Sequence, residues 1–232
     1  MMTPAGRRET AKGDMSIQYL GVDTVRPAVL TIDLHRGHLD MDVATLPLPQ
    51  APAARVVEAN RAFLQNARVH GIPVVHVVTE YRSKEEVASN PFWNAIAGTS
   101  VTRGNILEHN IPGTVGTQLM PGIRSDGDVV VSRKRRYDCF LATDLEFTLR
   151  NLGCNTLLIT GVNTNSCVLA TTIIASTKDF ACVVVEDCVD TVDGHDMHRA
   201  ALECIQRAFG WVSHSAVVFD ELSAAGWRTP AH

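Results

Sequence analysis

Two periodicities alternate along this chain. Short apolar runs end in a charge or a glycine, and between them lie stretches with apolar residues every third or fourth position. Ala28–Val29–Leu30–Thr31–Ile32 closes on Asp33, as a buried parallel strand does when it delivers a polar residue at its carboxyl end. From Ala53 to His70, Val56, Ala59, Phe63 and Ala67 share one helical face, and Gly71 stops the helix. Further strands are predicted at Val74–Val78, Asp128–Ser132, Thr156–Thr160, Cys182–Val185 and Val212–Val218. Thr143–Asp144–Leu145–Glu146 reads as a capping box opening a helix that turns Leu145, Leu149 and Leu152 inward and ends at Gly153. Gly161 to Ser166 reads as a tight turn into a helix that begins near Cys167. His195 to Phe209 is a helix with Ala201, Leu202, Ile205 and Phe209 on one face. Glu80 to Asp128 is irregular and rich in Gly, Pro and Asn, the character of a long functional loop.

Strands alternating with helices imply right-handed βαβ units. The expected fold is α/β: a doubly wound, three-layer α/β/α domain over residues 21–232 with a mainly parallel sheet of about six strands. Residues 1–20 are polar and read as a flexible N-terminal arm, without the apolar stretch of a signal peptide.

Composition narrows the function classes. The 232 residues are 45% hydrophobic and 20% charged, the balance of a globular domain, and the formal charge of −4 comes without acidic or basic blocks. No nucleic-acid stripe and no membrane anchor is therefore expected. The six cysteines form no C-x-x-C pair, which argues against structural zinc and for reduced thiols in a cytoplasmic protein. No G-x-G-x-x-G occurs, so a dinucleotide oxidoreductase has no support.

Ligands bind beyond the carboxyl ends of strands in such sheets. Three strand ends carry reactive side chains: Asp33, Lys134 and the Gly161–Cys167 turn. Near a helix N-terminus, backbone N–H groups favour the Cys167 thiolate and can receive an oxyanion. Position alone leaves Cys167 equally open to being a small buried apolar residue. Asp33 is a general base or a loop-capping carboxylate. Lys134 is an electrostatic partner or a solvated strand end, and charge does not separate it from Arg133, Arg135 and Arg136.

The segments A-V-L-T-I-D-L-H-R-G-H, V-S-R-K-R-R-Y-D-C-F-L-A-T-D-L-E and T-G-V-N-T-N-S-C-V resemble, in order, the three signature blocks of the isochorismatase-like cysteine hydrolases. The resemblance covers roughly Pro27 to Val218. It implies a catalytic triad of Asp33, Lys134 and Cys167, with Lys134 singled out by its spacing to Tyr137 and Phe140. It also implies a cis peptide at Val162–Asn163 and an oxyanion hole of the Asn163 and Cys167 N–H groups. His35 stands where the family commonly has Gln, and Arg36–Gly37–His38 replaces a common Asn-Asp-Phe. His35, Arg36, Tyr81, Arg82 and Tyr137 are the substrate-binding candidates, with Arg103, His109 and Gln118 as further polar groups of the pocket.

Asp33, His35 and His38 raise the possibility of zinc. A strand aligns only alternate side chains, however, and metal-using nicotinamidases of the family hold their ion through an Asp-x-His that the matching Glu80–Tyr81–Arg82 lacks. No metal and no cofactor are expected. The T-D-L-E and R-R-Y segments resemble the amidase-type members: N-carbamoylsarcosine amidase and the biuret, triuret and ureidoacrylate hydrolases. They imply hydrolysis of a C–N bond in a small amide, ureide or N-carbamoyl compound through a thioester, with release of ammonia, by a homodimer or homotetramer. Phe92–Trp93 is a candidate contact surface. The alternatives are an isochorismatase-type vinyl-ether hydrolase, which often dispenses with the Cys, a redox-sensing thiol protein with a resolving cysteine, and a non-catalytic scaffold.

Overall fold

The computed structural model describes residues 20–229. The arm expected over residues 1–20 lies outside them except for Leu20, which is buried in the core. The chain runs β1 (Pro27–Ile32), α1 (Arg36–Leu39), α2 (Gln50–Val69), β2 (Val74–Thr79), α3 (Lys84–Ala88), α4 (Pro91–Ile96), β3 (Val129–Lys134), α5 (Leu145–Asn151), β4 (Thr156–Val162), a wide helical turn (Thr164–Val168) leading into α6 (Leu169–Thr177), β5 (Ala181–Asp190), α7 (His195–Ala208), β6 (Trp211–Ser213) and α8 (Val218–Ala224). The six strands form one all-parallel sheet in the order β3-β2-β1-β4-β5-β6.

Strand alternation divides the core between the two faces of that sheet. Val29, Val74, Leu158, Val183 and Val185 face α2 and α8, meeting Val56, Phe63, Leu64, Val218 and Leu222. Ala28, Leu30, Ile32, Val75, Val77, Leu157, Ile159 and Val184 face the other way, onto Leu145, Leu149, Val168, Ala175 and Ile205 of α5, α6 and α7. Each fully buried aliphatic side chain contributes ~1.5–3 kcal/mol. The strands hold three layers together because both their faces are apolar.

The order of strands reverses between β1 and β4, which creates a crevice beyond their carboxyl ends. Gly161 permits the close approach there. It has φ +109°, and a Cβ on it would lie 1.9 Å from the Ile32 carbonyl oxygen.

Several elements differ from the sequence reading. The last strand stops at Ser213, and residues from Val218 onward form α8 instead. Val218, Phe219 and Leu222 recur at helical spacing, and Phe63 and Phe219 stack at 5.4 Å. The capping box does not close. The Thr143 hydroxyl accepts the Leu145 N–H at 3.3 Å, but the Glu146 carboxylate goes to Lys178 at 2.6 Å. Leu145 and Leu149 are fully buried, whereas Leu152 is exposed, because α5 ends at Asn151 before that face continues. The long segment after β2 is not structureless. Ser83 and Asn90 cap α3 and α4 with their side chains, and Tyr81, Val87, Trp93 and Ile106 form a small core of their own with Leu46. Trp93 is therefore buried rather than part of a contact surface, and only its neighbour Phe92 is exposed.

Candidate active site

The carboxyl ends of β1, β2, β3 and the β4–α6 turn deliver Asp33, Thr79, Lys134 and Cys167 to one buried point. Two of these deliveries use unusual backbone. Asp33 itself has φ +54°, turning the chain out of β1. In β3, Val131 pairs with Val77 but Lys134 pairs with Thr79, so three residues on β3 advance against two on β2. This is a β-bulge, and Arg133 sits in it with φ +67°. Strict alternation from Val131 would aim Arg133 inward. The extra residue aims Lys134 inward instead and leaves Arg133 exposed.

Lys134 Nζ donates to Asp33 Oδ2 at 2.6 Å, to Thr79 Oγ1 at 2.7 Å and to Cys167 Sγ at 3.2 Å. Thr79 in turn donates its backbone N–H and its hydroxyl to Asp33 Oδ1, both at 2.8 Å. Asp33, Lys134 and Cys167 are 0%, 2% and 4% exposed. Burial alone penalises every charge here. For Asp33 it is outweighed by Lys134 and His35, which hold the carboxyl well below the usual carboxylate range. For Lys134 it is outweighed by Asp33, so the ammonium is held well above its ordinary value. Burial pushes the Cys167 thiol up to about 11, against the pull of Lys134 and with the added push of Asp33. The resting site is thus a carboxylate–ammonium pair beside a protonated thiol.

Cys167 lies inside the wide turn Thr164–Val168, which runs directly into α6, rather than at the first residue of a helix. The Val162–Asn163 peptide is cis. The Asn163 side chain accepts the Val192 N–H at 2.9 Å, and its carbonyl accepts the N–H groups of Ser166 and Val168, so the turn before the thiol is tied down.

The other candidates separate. His35 is fully buried, its Nε2 3.5 Å from Asp33 Oδ1. Tyr81 and Tyr137 border the site through Trp93: both meet its ring edge-on, and the indole N–H donates to Tyr137 Oη at 3.2 Å. Arg36 pairs with Asp40 at 2.6 Å. Arg82 is not part of the site. Its side chain is 75% exposed and reaches toward Glu86, because β2 ends at Thr79 and the chain turns outward before α3. Arg103 pairs with Asp193 and lies 3.5 Å from the Ser166 hydroxyl, bracing the Cys167 turn from outside.

Three further residues belong here. Thr79 had no signal beyond being a β-branched strand residue. Asn110, buried at φ +48°, donates to the Thr79 carbonyl at 2.8 Å and approaches His35 Nε2 at 2.9 Å. His109, until now one polar candidate among several, packs its ring against those of His38 and His35, with centroids 4.4 Å and 5.4 Å away. The sequence groups Asp33 with His35 and His38 as a possible zinc set. Both oxygens of Asp33 are instead engaged by Lys134 and Thr79, and the third member of the histidine group is His109. Burial holds His38 down to about 3 and His109 well below its ordinary value, so both rings are neutral at neutral pH.

Residues 27–217 match the family model described as the isochorismatase domain. The chain belongs to the isochorismatase family. Among its relatives, maleamate amidohydrolase of Pseudomonas putida is 29% identical over 186 residues, 80% of this chain and 81% of that protein. Ureidoacrylate amidohydrolase RutB of Methylobacterium radiotolerans is 38% identical over 105 residues, which span 45% of this chain and 40% of that protein. In fold, a cysteine hydrolase from Pseudomonas syringae pv. phaseolicola superposes with a TM-score of 0.71 at 20% identity, over 88% of this chain and 95% of that one. Among the described residues no helix is long and apolar enough to cross a membrane.

Proposed function

We propose that this isochorismatase-family hydrolase is a cysteine amidohydrolase that cleaves a C–N bond in a small amide, ureide or N-carbamoyl compound and releases ammonia. One observation carries the reading: a single ammonium, Lys134, touches both the Asp33 carboxylate at 2.6 Å and the Cys167 sulfur at 3.2 Å inside a buried site. A carboxylate, a cation and a thiol in contact are a base, an electrostatic partner and a nucleophile. Relatives named as amidohydrolases of maleamate and ureidoacrylate support the same bond class.

The resting thiol requires a base at the moment of attack, since burial keeps it protonated. Asp33 takes the Cys167 proton as sulfur adds to the carbonyl carbon. Lys134 compensates the negative charge, which passes from the carboxylate to the developing oxyanion. The backbone N–H groups of Asn163 and Cys167 are the proposed oxyanion donors. The C–N bond then breaks, Asp33 gives its proton to the leaving nitrogen, and ammonia departs. A thioester, or a thiocarbamate for a ureide, remains on Cys167. Asp33 next deprotonates water, hydroxide adds to the same carbon, and the thiolate leaves and recovers the proton.

An ammonia-release screen over small amides, ureides and N-carbamoyl amino acids tests the proposal, with quenched samples mapped by mass spectrometry. Turnover by the wild type, none by Cys167→Ser, and an adduct on the Cys167 peptide are expected. Undiminished turnover by Cys167→Ala on the true substrate would replace covalent catalysis with the ether-hydrolase chemistry of the family.

A further inference from the structure

Three imidazoles, His35, His38 and His109, converge beside the triad, each offering a ring nitrogen within 4.8 Å of the other two. All three are buried, at 0%, 5% and 2% exposure. The mechanism above uses none of them as acid, base or nucleophile. Their hydrogen bonds are arranged alike. One nitrogen of each ring is engaged and the other is left over. His38 Nδ1 donates to the Leu46 carbonyl at 2.8 Å, which makes Nε2 the lone-pair nitrogen. His109 Nδ1 meets the Thr45 hydroxyl at 2.9 Å, and His35 Nε2 faces Asn110 at 2.9 Å and Asp33 Oδ1 at 3.5 Å. Among the described residues His35 Nδ1 has no partner, although it is fully buried. Asn110 Nδ2, which can only donate, makes His35 Nε2 an acceptor, and Nδ1 is then the buried atom left for an ion, which would take the place of any proton there.

Engagement of one ring nitrogen by a carbonyl, a hydroxyl or a carboxylate while the other stays free is how metal-binding histidines are oriented. An unpartnered buried ring nitrogen within such a cluster calls for a ligand to explain it. We propose that His35, His38 and His109 form a binding site for one divalent transition-metal ion of the zinc type, held by three imidazoles with a coordination position left open. Imidazole suits such ions, and three protein ligands are the count that leaves an exchangeable position. Bonds of about 2.0–2.1 Å to a tetrahedral centre need the nitrogens about 3.3 Å apart, so small ring rotations close the site. His35 links the ion to Asp33, which couples metal occupancy to the catalytic carboxylate.

Protein stripped with chelator and dialysed is titrated with Zn²⁺ by calorimetry and with Co²⁺ by visible absorption. Elemental analysis follows, and melting is measured with and without zinc. One equivalent per chain, an intense Co²⁺ spectrum and a higher Tm with zinc are expected. His38→Ala and His109→Ala should each lower affinity by about a hundredfold or more, and Thr45→Val, which removes only the orienting hydroxyl, by about tenfold. Cys167→Ser should bind as the wild type does, which separates this site from chelation by the thiol. The readout is binding, so it stands whether or not an amide is hydrolysed. Substoichiometric uptake by the wild type, or equal uptake by the histidine variants, would overturn the site and leave the rings as a polar pocket wall.

Discussion

Thr79 is the residue on which the charge arrangement turns. Its hydroxyl donates to Asp33 and accepts from Lys134, so it orients the pair as well as satisfying it. Thr79→Val keeps the shape and the backbone N–H bond but removes both hydroxyl contacts. A loss of ~1–3 kcal/mol in stability is expected, with kcat falling about tenfold or more at little change in KM. Steady-state kinetics and urea melts on the same samples check both. Lys134→Ala is harsher, because it leaves a buried carboxylate without its cation. It should cost ~3–5 kcal/mol in a denaturant melt and reduce kcat/KM by ~100-fold or more. An Ala variant with wild-type turnover would remove Lys134 from the chemistry.

Elements meet through a few buried polar ties, and these set pH and packing sensitivities. The strand β2 places His76 fully inside the sheet, where its Nδ1 meets the Thr31 hydroxyl at 2.6 Å and its Nε2 meets Asp128 at 3.0 Å. Asp128, just before β3, also takes Arg68 of α2 at 2.6 Å, so one carboxylate joins helix, strand and sheet edge. Burial opposes its charge, but Arg68, Ser125 and His76 hold its pKa below the ordinary 3.8. A depressed carboxyl contributes stability that is complete above its unfolded pKa and is lost as pH falls through the folded one. Asp128→Asn should therefore cost ~1–3 kcal/mol near neutrality. The gap in Tm from wild type should narrow as the buffer is taken from about pH 6 to below about pH 3.8. A gap that widens in acid would refute the assignment. At the β1–β4 seam, Gly161→Ala sets a Cβ against the Ile32 carbonyl at a backbone angle disfavoured for L residues. A loss of ~3 kcal/mol or more, or failure to fold, is expected in thermal melts.

At the scale of the whole molecule the triad is enclosed. Surface concavities of 430–680 Å³ are lined by other residues, and none reaches Asp33, Lys134 or Cys167. The segment from β2 to β3 carries a small core of Tyr81, Val87, Trp93 and Ile106 beside the site, and access to Cys167 is expected to require its opening. Thiol labelling reads this opening. Cys204 is exposed and the other five cysteines are buried. Alkylation at neutral pH should modify Cys204 first and Cys167 slowly, since both access and thiolate fraction are low there. Peptide mapping over time gives the order, and labelling of Cys167 ahead of Cys204 would show a site already open with its thiolate populated.

The amino-acid sequence by itself determined the layered architecture, because apolar runs that must bury both faces admit few arrangements other than a parallel sheet between helices. It also marked Asp33, as the charge that ends such a run, and Cys167, as the thiol after a glycine-bearing turn. Between Arg133 and Lys134 local pattern was silent. A bulge shifts which residue of β3 points inward, and that shift exists only in the pairing with β2. Val212 to Val218 read as one strand because short apolar runs do not distinguish strand from helix until the packing of Phe219 on Phe63 decides it. Only the tertiary structure brought Thr79 under Asp33 and carried His109, distant along the chain, onto His35 and His38. Hydrogen bonds and imidazole contacts of that kind depend on where separate strands and loops end in space, and periodicity along one segment carries no record of it.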